Sequence, residues 1–247
     1  MNPMMTIARR EFRSYFDSPL AYVVICLSLL ALGIWMFMGP GQFWQVDRAS
    51  LVTMFTIIPA CLVLLIVPVI TMRLIAEEKR SGTLEMLITL PVRDSEVVLG
   101  KFLGALGLVL VLIASTALYP LLMFKSVWHL GPLDMGPVLA GYLGLVLFSA
   151  TAVAIGLLIS SVTDSQVISL FVTFFVLALL YWIGDIGQLW GGWGGGFGSV
   201  IRELSFKEHY ASFVRGLVDT RDIIFFISCA TLALMFAFRA LESRKWT

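Results

Sequence analysis

Six long apolar stretches dominate the pattern of the chain. They cover residues 20–38, 51–72, 97–124, 135–161, 167–184 and 223–238. A hydrocarbon core of roughly 30 Å needs about 20 apolar residues in a helix, because a backbone in lipid must satisfy its own hydrogen bonds. The pattern therefore predicts an all-α membrane protein with six transmembrane helices.

The segment before the first stretch repeats its apolar residues at helical spacing. These positions are Met5, Ala8, Phe12, Tyr15 and Phe16. Arg10, Arg13 and Asp17 fall on the other side of the same helix. Such a pattern predicts an amphipathic helix in the cytoplasmic interface, with Pro19 turning the chain into the bilayer. A basic tail that serves only to orient the first span is the alternative.

A second amphipathic stripe precedes the last apolar stretch. Its members are Phe206, Tyr210, Phe213, Val214 and Leu217. Charged residues such as Arg202 and Lys207 lie largely elsewhere on that helix. We expect a short helix that packs against the outer membrane surface or dips partly into it. The result would be a partly embedded outer segment before the last span.

The charged segment between the second and third stretches, residues 73–96, predicts a short cytoplasmic helix. Ser81 or Gly82 can cap this helix, and Pro91 ends it. Its apolar face is formed at i, i+3 and i+4 spacing by Leu84, Leu87 and Ile88. A short amphipathic helix held between two spans is suited to docking in a groove of a soluble partner. The alternative is a solvated loop with a chance helical pattern.

The composition agrees with a membrane location. Hydrophobic residues make up 59% of the chain and charged residues 13%, and the mean hydropathy is +0.94. A net charge of +1 offers no general attraction to nucleic acid. With a cytoplasmic N-terminus, Lys and Arg number three before the first span, five in residues 73–101 and three after the last span, against six in the outer loops. The positive-inside rule therefore places both termini in the cytoplasm.

The polar residues offer no catalytic, cofactor or metal site. Cys26, Cys61 and Cys229 each lie inside an apolar stretch, and the two histidines, His129 and His209, have no partner at metal-ligand spacing. The sequence contains no Walker A motif, nucleophile elbow or H-E-x-x-H motif. The spans carry almost no ionisable residues, which argues against a self-sufficient ion-coupled carrier. Energy for any transport must then come from another protein.

Two smaller features lie near the ends of spans. Lys101 and Asp185 are expected to snorkel or to lie at an interface. Gly100 and Gly104 form a GxxxG motif, which permits close helix approach. A single such motif is weak evidence for any particular contact.

Residues 72–92 have the sequence MRLIAEEKRSGTLEMLITLPV. This run resembles the first intracellular loop of ABC-2 type permeases, which carries the coupling helix that sits on an ATP-binding-cassette ATPase. The resemblance extends over essentially the whole chain. It implies a single permease transmembrane domain, residues 1–247, with a coupling helix at about residues 82–90. It also implies that ATP and Mg are bound by the partner ATPase and that this chain holds no cofactor.

The same resemblance implies a set of ATPase-contacting residues. The polar candidates are Glu77, Glu78, Lys79, Arg80 and Glu85, the groove-filling candidates are Leu84, Leu87 and Ile88, and Gly82 and Thr83 belong to the same helix. Closure of two ATP-bound cassettes would move residues 82–90 as a rigid lever. The second and third spans would then shift across a permease dimer interface.

Residues 215–222, RGLVDTRD, and residues 241–246, LESRKW, resemble the gliding-motility-associated (GldF-type) permeases and their bacterial relatives. That resemblance implies an inner-membrane permease that works with a separate ATPase, a self or related dimer partner, and an accessory membrane protein with a large extracytoplasmic domain. The expected function is export or mechanical work across the membrane. Two alternatives stay open: a membrane anchor that transmits ATPase-driven motion without solute transport, and a self-sufficient carrier or channel.

Overall fold

A computed structural model describes residues 3–38, 51–82, 93–124, 134–189 and 202–243. Within these ranges the chain is helical with connecting turns, and no strand is present. In chain order the elements are α1 (Pro3–Asp17), α2 (Pro19–Met38), α3 (Val52–Cys61), a π-helical segment (Leu62–Ile66), α4 (Val67–Thr71), α5 (Ala76–Ser81), α6 (Asp94–Thr116), α7 (Leu118–Phe124), α8 (Met135–Val162), α9 (Gln166–Leu189), α10 (Phe206–Val214) and α11 (Thr220–Ser243). The prediction of an all-α membrane protein is confirmed.

Five helices in the described chain are long and apolar enough to cross a membrane. They are Val52–Ser81, Asp94–Leu121, Met135–Val162, Gln166–Ile186 and Thr220–Ser243. The number becomes six when the bent pair formed by α1 and α2, at an angle of 70°, is counted as one span. Ser18 forms the bend and Pro19 begins α2, where the sequence predicts the turn. The last span is longer than predicted because its helix continues through charged residues at both ends.

The second span is not a uniform α-helix. Pro59 lies inside α3, the π-helical segment follows it, and Pro68 lies at the start of α4. A proline has no backbone N–H and interrupts the regular hydrogen-bond ladder, and a π segment accommodates one extra residue in a turn. A short turn at residues 72–75 then leads into α5. The span and the first part of the cytoplasmic segment therefore form one continuous unit.

α8 is the central helix of the bundle. It contacts α3, α4, α5, α6, α9, α10 and α11. The ring of Phe148 on α8 is fully buried, and its centroid lies 6.0 Å from those of Phe206 and Tyr210 and 6.1 Å from that of Phe226. These edge-on and tilted ring contacts join α8, α10 and α11 in one apolar core.

α10 is the helix predicted before the last span, but its apolar stripe faces protein. The buried stripe residues are Phe206, Tyr210, Phe213 and Val214. Leu217, the fifth, is 61% exposed. A Cβ on Gly144 would lie 2.7 Å from the Phe213 side chain, so this glycine makes room for the aromatic ring. The stripe of α10 is therefore seated on the first half of α8, and the expected position of this segment at the outer membrane surface stays a prediction.

Candidate functional site

α1 packs along the first half of α6 through a seam of glycines. Gly100, Gly104 and Gly107 lie one helical turn apart on α6. A Cβ on Gly100 would lie 2.8 Å from Ile7 Cβ, and a Cβ on Gly104 would lie 2.6 Å from Glu11 Cβ. The two backbones are therefore too close for a side chain at these positions, which is how small residues permit tight helix packing in membrane proteins.

This seam decides what covers the apolar face of α1. Successive contacts run from Ile7 at Gly100 to Phe12 at Gly107, so the two helices advance in the same direction. Ala8, on the apolar face of α1, is buried. The predicted amphipathic helix is present, and α6 covers the part of it that carries Ile7 and Ala8. Its position in the cytoplasmic interface stays a prediction.

Lys101 on α6 is buried between three helices. Only 1% of its side chain is exposed, and Nζ donates to Glu11 Oε1 of α1 at 3.1 Å and to Glu78 Oε1 of α5 at 2.7 Å. Arg10 lies 4.0 Å from Glu78 and helps to balance the negative charge of the Glu78 carboxylate. A buried ammonium requires such partners, because removal from water costs several kcal/mol. Lys101 thus lies at an interface inside the protein, and it ties α1, α5 and α6 together.

Lys79, next to Glu78, binds a different element of the bundle. Its side chain is 3% exposed. Nζ donates to the carbonyl oxygens of Ser161 and Thr163, the latter at 3.1 Å, and lies 3.5 Å from Asp164 Oδ1. Carbonyl groups at the C-terminal end of a helix carry partial negative charge, so a cation is favourable there. Lys79 therefore fastens α5 to the turn between α8 and α9.

Ser160 holds the backbone that leads into α5. Its Oγ accepts hydrogen bonds from the backbone N–H groups of Ile75 and Ala76, both at 3.1 Å. These donors lie at the start of a helix, where no carbonyl of the same helix can receive them. One turn earlier on α8, a Cβ on Gly156 would collide with Thr71 of α4. The end of the second span is thus joined directly to α8.

Tyr15 adds a link between α1 and the end of the second span. Its hydroxyl donates to the carbonyl oxygen of Ile70 at 3.3 Å. Burial, with a smaller contribution from the charge of Glu11, raises the pKa of the Tyr15 phenol above its usual range. The hydroxyl therefore stays protonated and remains a donor. We call α5 and the groups that hold it, Lys101, Glu11, Ser160 and residues 161–164, the elbow.

The elbow shows where the first predicted ATPase-contacting residues lie. The side chains of Glu78 and Lys79 are directed into the permease. Glu77 pairs with Arg73 at 3.3 Å on the surface, and Arg80 is exposed. Two of the four charges in the predicted run therefore hold the elbow together, and the other two face outward.

The junction after α5 differs in detail from the sequence prediction. Ser81 is the last residue of α5, and its hydroxyl donates to the carbonyl oxygens of Glu77 and Glu78. Gly82 has a left-handed φ of +70° and forms the C-cap of α5, a position that favours glycine. Both residues therefore end one helix, whereas the sequence suggested them as caps at the start of the next. The remaining candidates, Thr83, Leu84, Glu85, Leu87 and Ile88, lie outside the described residues.

Glu11 has no role in the sequence-based prediction, although it completes the charge cluster. One signal points to it: its carboxylate falls on the face of α1 that carries Ala8, and a charge on a covered face needs a partner. The complementary signal is Lys101, a cation inside an apolar stretch. Asp185, the other charge near a span end, pairs with Lys207 of α10 at 2.5 Å.

A second polar contact, also unexpected from the sequence, joins α10 to α11. His209 Nδ1 lies 2.7 Å from Asp222 Oδ1, and His209 Nε2 lies 2.8 Å from the carbonyl oxygen of Glu203. The imidazole ring stacks on Phe225 with the centroids 3.8 Å apart. His209, for which the sequence indicates no partner, thus fixes α10 to the start of the last span.

A bundle of long apolar helices with a charged elbow is the architecture of a multi-pass membrane protein. A family described as ABC-2 family transporter protein matches residues 5–191, which is more than half of the chain. The chain therefore belongs to the ABC-2 family of transporter proteins, and it is the membrane permease subunit of an ABC transporter. Membership implies pairing with an ABC ATPase subunit. A search of curated proteins finds no match to the chain.

Proposed function

We propose that this permease converts ATP-driven closure of its ATPase partner into movement of its spans, for export or for mechanical work across the membrane. The coupling helix, residues 82–90, docks in a groove of the ATPase. Its groove-filling residues are Leu84, Leu87 and Ile88, with polar contacts from Glu77, Arg80, Thr83 and Glu85. The observation that carries the proposal is the elbow, because the residues proposed to form the coupling helix follow α5 directly in the chain.

The elbow supports a rigid transfer of motion. Glu78 binds Lys101 of the third span, and Lys79 binds the turn after α8. A short helix held by ion pairs and hydrogen bonds to two separate elements moves together with the elements that hold it. A displacement of the coupling helix would therefore reach α6 and α8 at the same time. We assign Glu78 and Lys79 to this anchoring role, in place of direct contact with the ATPase.

α8 also supports delivery of the motion to the outer side. Ser160, in the elbow, and Gly144, under α10, are about 24 Å apart along one helix at 1.5 Å per residue. Phe213 of α10 packs on Gly144, so α10 is coupled to the same helix. This arrangement favours mechanical work on an extracytoplasmic partner, as expected of a GldF-type permease. The membrane anchor without solute transport would use the same path.

The packing supports a single transmembrane domain over residues 1–247. α10 and α11 follow the segment matched by the family, and both pack on α8. Exposed apolar side chains on α9 and α11, such as Phe175 at 65% and Met235 at 69%, leave wide faces for lipid and for a permease dimer partner. We place the protein in the bacterial inner membrane with both termini in the cytoplasm.

Co-purification in detergent tests this function. Wild type and the Leu87→Asp variant would be expressed with the ABC ATPase encoded nearby, and both retention and ATP hydrolysis would be measured. A carboxylate in a docking groove has no partner, and its burial costs several kcal/mol. We expect wild type to retain and stimulate the ATPase and the variant to lose both effects.

Leu87→Met is the matched control, because methionine keeps the apolar volume of the side chain. It should retain and stimulate the ATPase like wild type. Normal retention and stimulation by Leu87→Asp would contradict the assignment of residues 82–90 as the coupling helix.

A further inference from the structure

The exposed face of α1 is strongly basic. Arg9, Arg10 and Arg13 lie on the side of the helix that points away from α6, and all three are exposed. Arg10 is shared with Glu11 and Glu78. Arg9 and Arg13 form no ion pair within the described part of the chain. These two guanidinium groups, one helical turn apart, therefore have no carboxylate partner among the described residues.

A groove follows this basic face. It has a volume of about 720 Å³, and all of its lining residues lie on α1: Met5, Thr6, Arg9, Arg10, Arg13, Ser14 and Asp17. The three arginines outweigh the single carboxylate of Asp17, so the lining is net positive. Hydroxyl and guanidinium groups are both hydrogen-bond donors to phosphate oxygens, and guanidinium binds phosphate with two parallel bonds. The groove therefore offers the chemistry that recognises a phosphate group.

The position of the groove identifies the source of that phosphate. Only Ser18 separates α1 from α2, so Arg13 lies within about 10 Å of the start of a span at 1.5 Å per residue. Phe16 and Tyr22 form an edge-on ring pair at the bend, 5.9 Å between centroids, and Tyr22 is 56% exposed. Exposed tyrosines are typical of the level of the lipid headgroups.

We propose that the basic face of α1 is a binding site for anionic phospholipids, whose headgroup phosphates are held by Arg9 and Arg13. α6 covers the face of α1 that carries Ile7, Ala8 and Glu11, and the basic face is turned away from it, toward the membrane. Exposed Met5, at the edge of the groove, extends the contact toward the acyl chains. A lipid bound here would contact α1, which is joined to the elbow through its glycine contacts with α6 and through the ion pair between Glu11 and Lys101. This proposal does not depend on coupling to an ATPase.

The test is a titration of the detergent-solubilised full chain with phosphatidylglycerol. Binding is measured as the increase in the thermal unfolding midpoint. Phosphatidylcholine and inorganic phosphate serve as the other two ligands. The comparison is between wild type and the double variant Arg9→Gln, Arg13→Gln. Each basic residue at an anionic membrane surface contributes about 1 kcal/mol, so the apparent affinity for phosphatidylglycerol should fall about 30-fold in the double variant.

Two control variants make the result specific. Arg9→Lys, Arg13→Lys keeps the charge and should keep most of the response, which separates lipid binding from a folding defect. Arg215→Gln, Arg221→Gln removes two exposed arginines elsewhere and should respond like wild type.

Three outcomes would overturn the proposal: an unchanged affinity in the Arg9, Arg13 double variant, an equal effect of inorganic phosphate, or no response of wild type to phosphatidylglycerol. Loss of ATPase retention with an unchanged lipid response would show instead that the face is a protein interface.

Discussion

Glu78 of α5 and Lys101 of the third span form a 2.7 Å ion pair in which the lysine side chain is 1% exposed. Twenty-two residues of chain lie between them, so the pair closes the cytoplasmic segment into a loop with a fixed base. Glu11 completes the cluster from α1. Under the proposed function, a motion applied to the loop would be transmitted at its base through this buried ion pair.

Lys101→Met should destabilise the protein strongly. It leaves the carboxylates of Glu11 and Glu78 close together without their cation, and breaking a buried pair in this way costs about 3 kcal/mol. A drop in the thermal unfolding midpoint in detergent would report the loss. The triple variant Glu11→Gln, Glu78→Gln, Lys101→Met removes all three charges and should recover much of the stability. A single variant as stable as wild type would contradict the buried cluster.

Gly104→Val should separate α1 from α6. The new side chain would start 2.6 Å from Glu11 Cβ and 3.1 Å from the Ala8 carbonyl oxygen. Such overpacking costs roughly 1–3 kcal/mol. Labelling of an Ile7→Cys reporter with a maleimide should become faster in the Gly104→Val background. Gly136→Ala is the control, since its nearest neighbour would be Asp134 Oδ1 at 3.4 Å, and unchanged labelling in Gly104→Val would argue against the seam.

Ser160→Ala should loosen the start of α5. The substitution removes the acceptor of two backbone N–H groups, and a buried donor left without a partner costs about 1–3 kcal/mol. Hydrogen exchange at Ile75 and Ala76 should accelerate. Ser149→Ala is the matched control on α8, because its hydroxyl binds the carbonyl oxygen of Val146 in the same helix. Equal exchange in both variants would mean that Ser160 does not hold the elbow.

His209 and Asp222 should be energetically coupled. Their side chains are 13% and 10% exposed, and the bond between them joins α10 to α11. A double-mutant cycle with His209→Ala and Asp222→Asn should give an interaction free energy of about 1–3 kcal/mol in thermal unfolding. Strictly additive effects of the two substitutions would show that the contact does not fasten α10.

The sequence predicts the spans well, because one uninterrupted apolar stretch identifies a helix in lipid. This signal does not depend on which helices lie next to it. The same stretch cannot show which neighbours it has. The apolar stripe of α10 has the same sequence pattern whether it faces lipid or Phe148. The apolar residues of α1 likewise have the same spacing whether they contact Gly104 or a lipid. These distinctions are made by tertiary packing.

The candidate site was predicted in part for the same reason. The charged run at residues 77–80 marks the cytoplasmic segment, but the sequence does not show that the adjacent residues Glu78 and Lys79 bind different parts of the protein. On a helix, Glu78 and Lys79 are about 100° apart, and their partners lie in segments far away in the chain. Lys101 was visible as an unusual cation in an apolar stretch. Its partner on α1 became visible only when the helices were placed together.

The rate of ATP hydrolysis by the reconstituted complex tests the central claim most directly. The ATPase would be assembled with wild type, with the triple variant Glu11→Gln, Glu78→Gln, Lys101→Met, or with the control Lys207→Met, whose lysine pairs with Asp185 at a distance from the elbow. We expect all three permeases to retain the ATPase, while only wild type and the control stimulate it. Full stimulation by the triple variant would contradict the claim that motion passes through the Glu78–Lys101 pair.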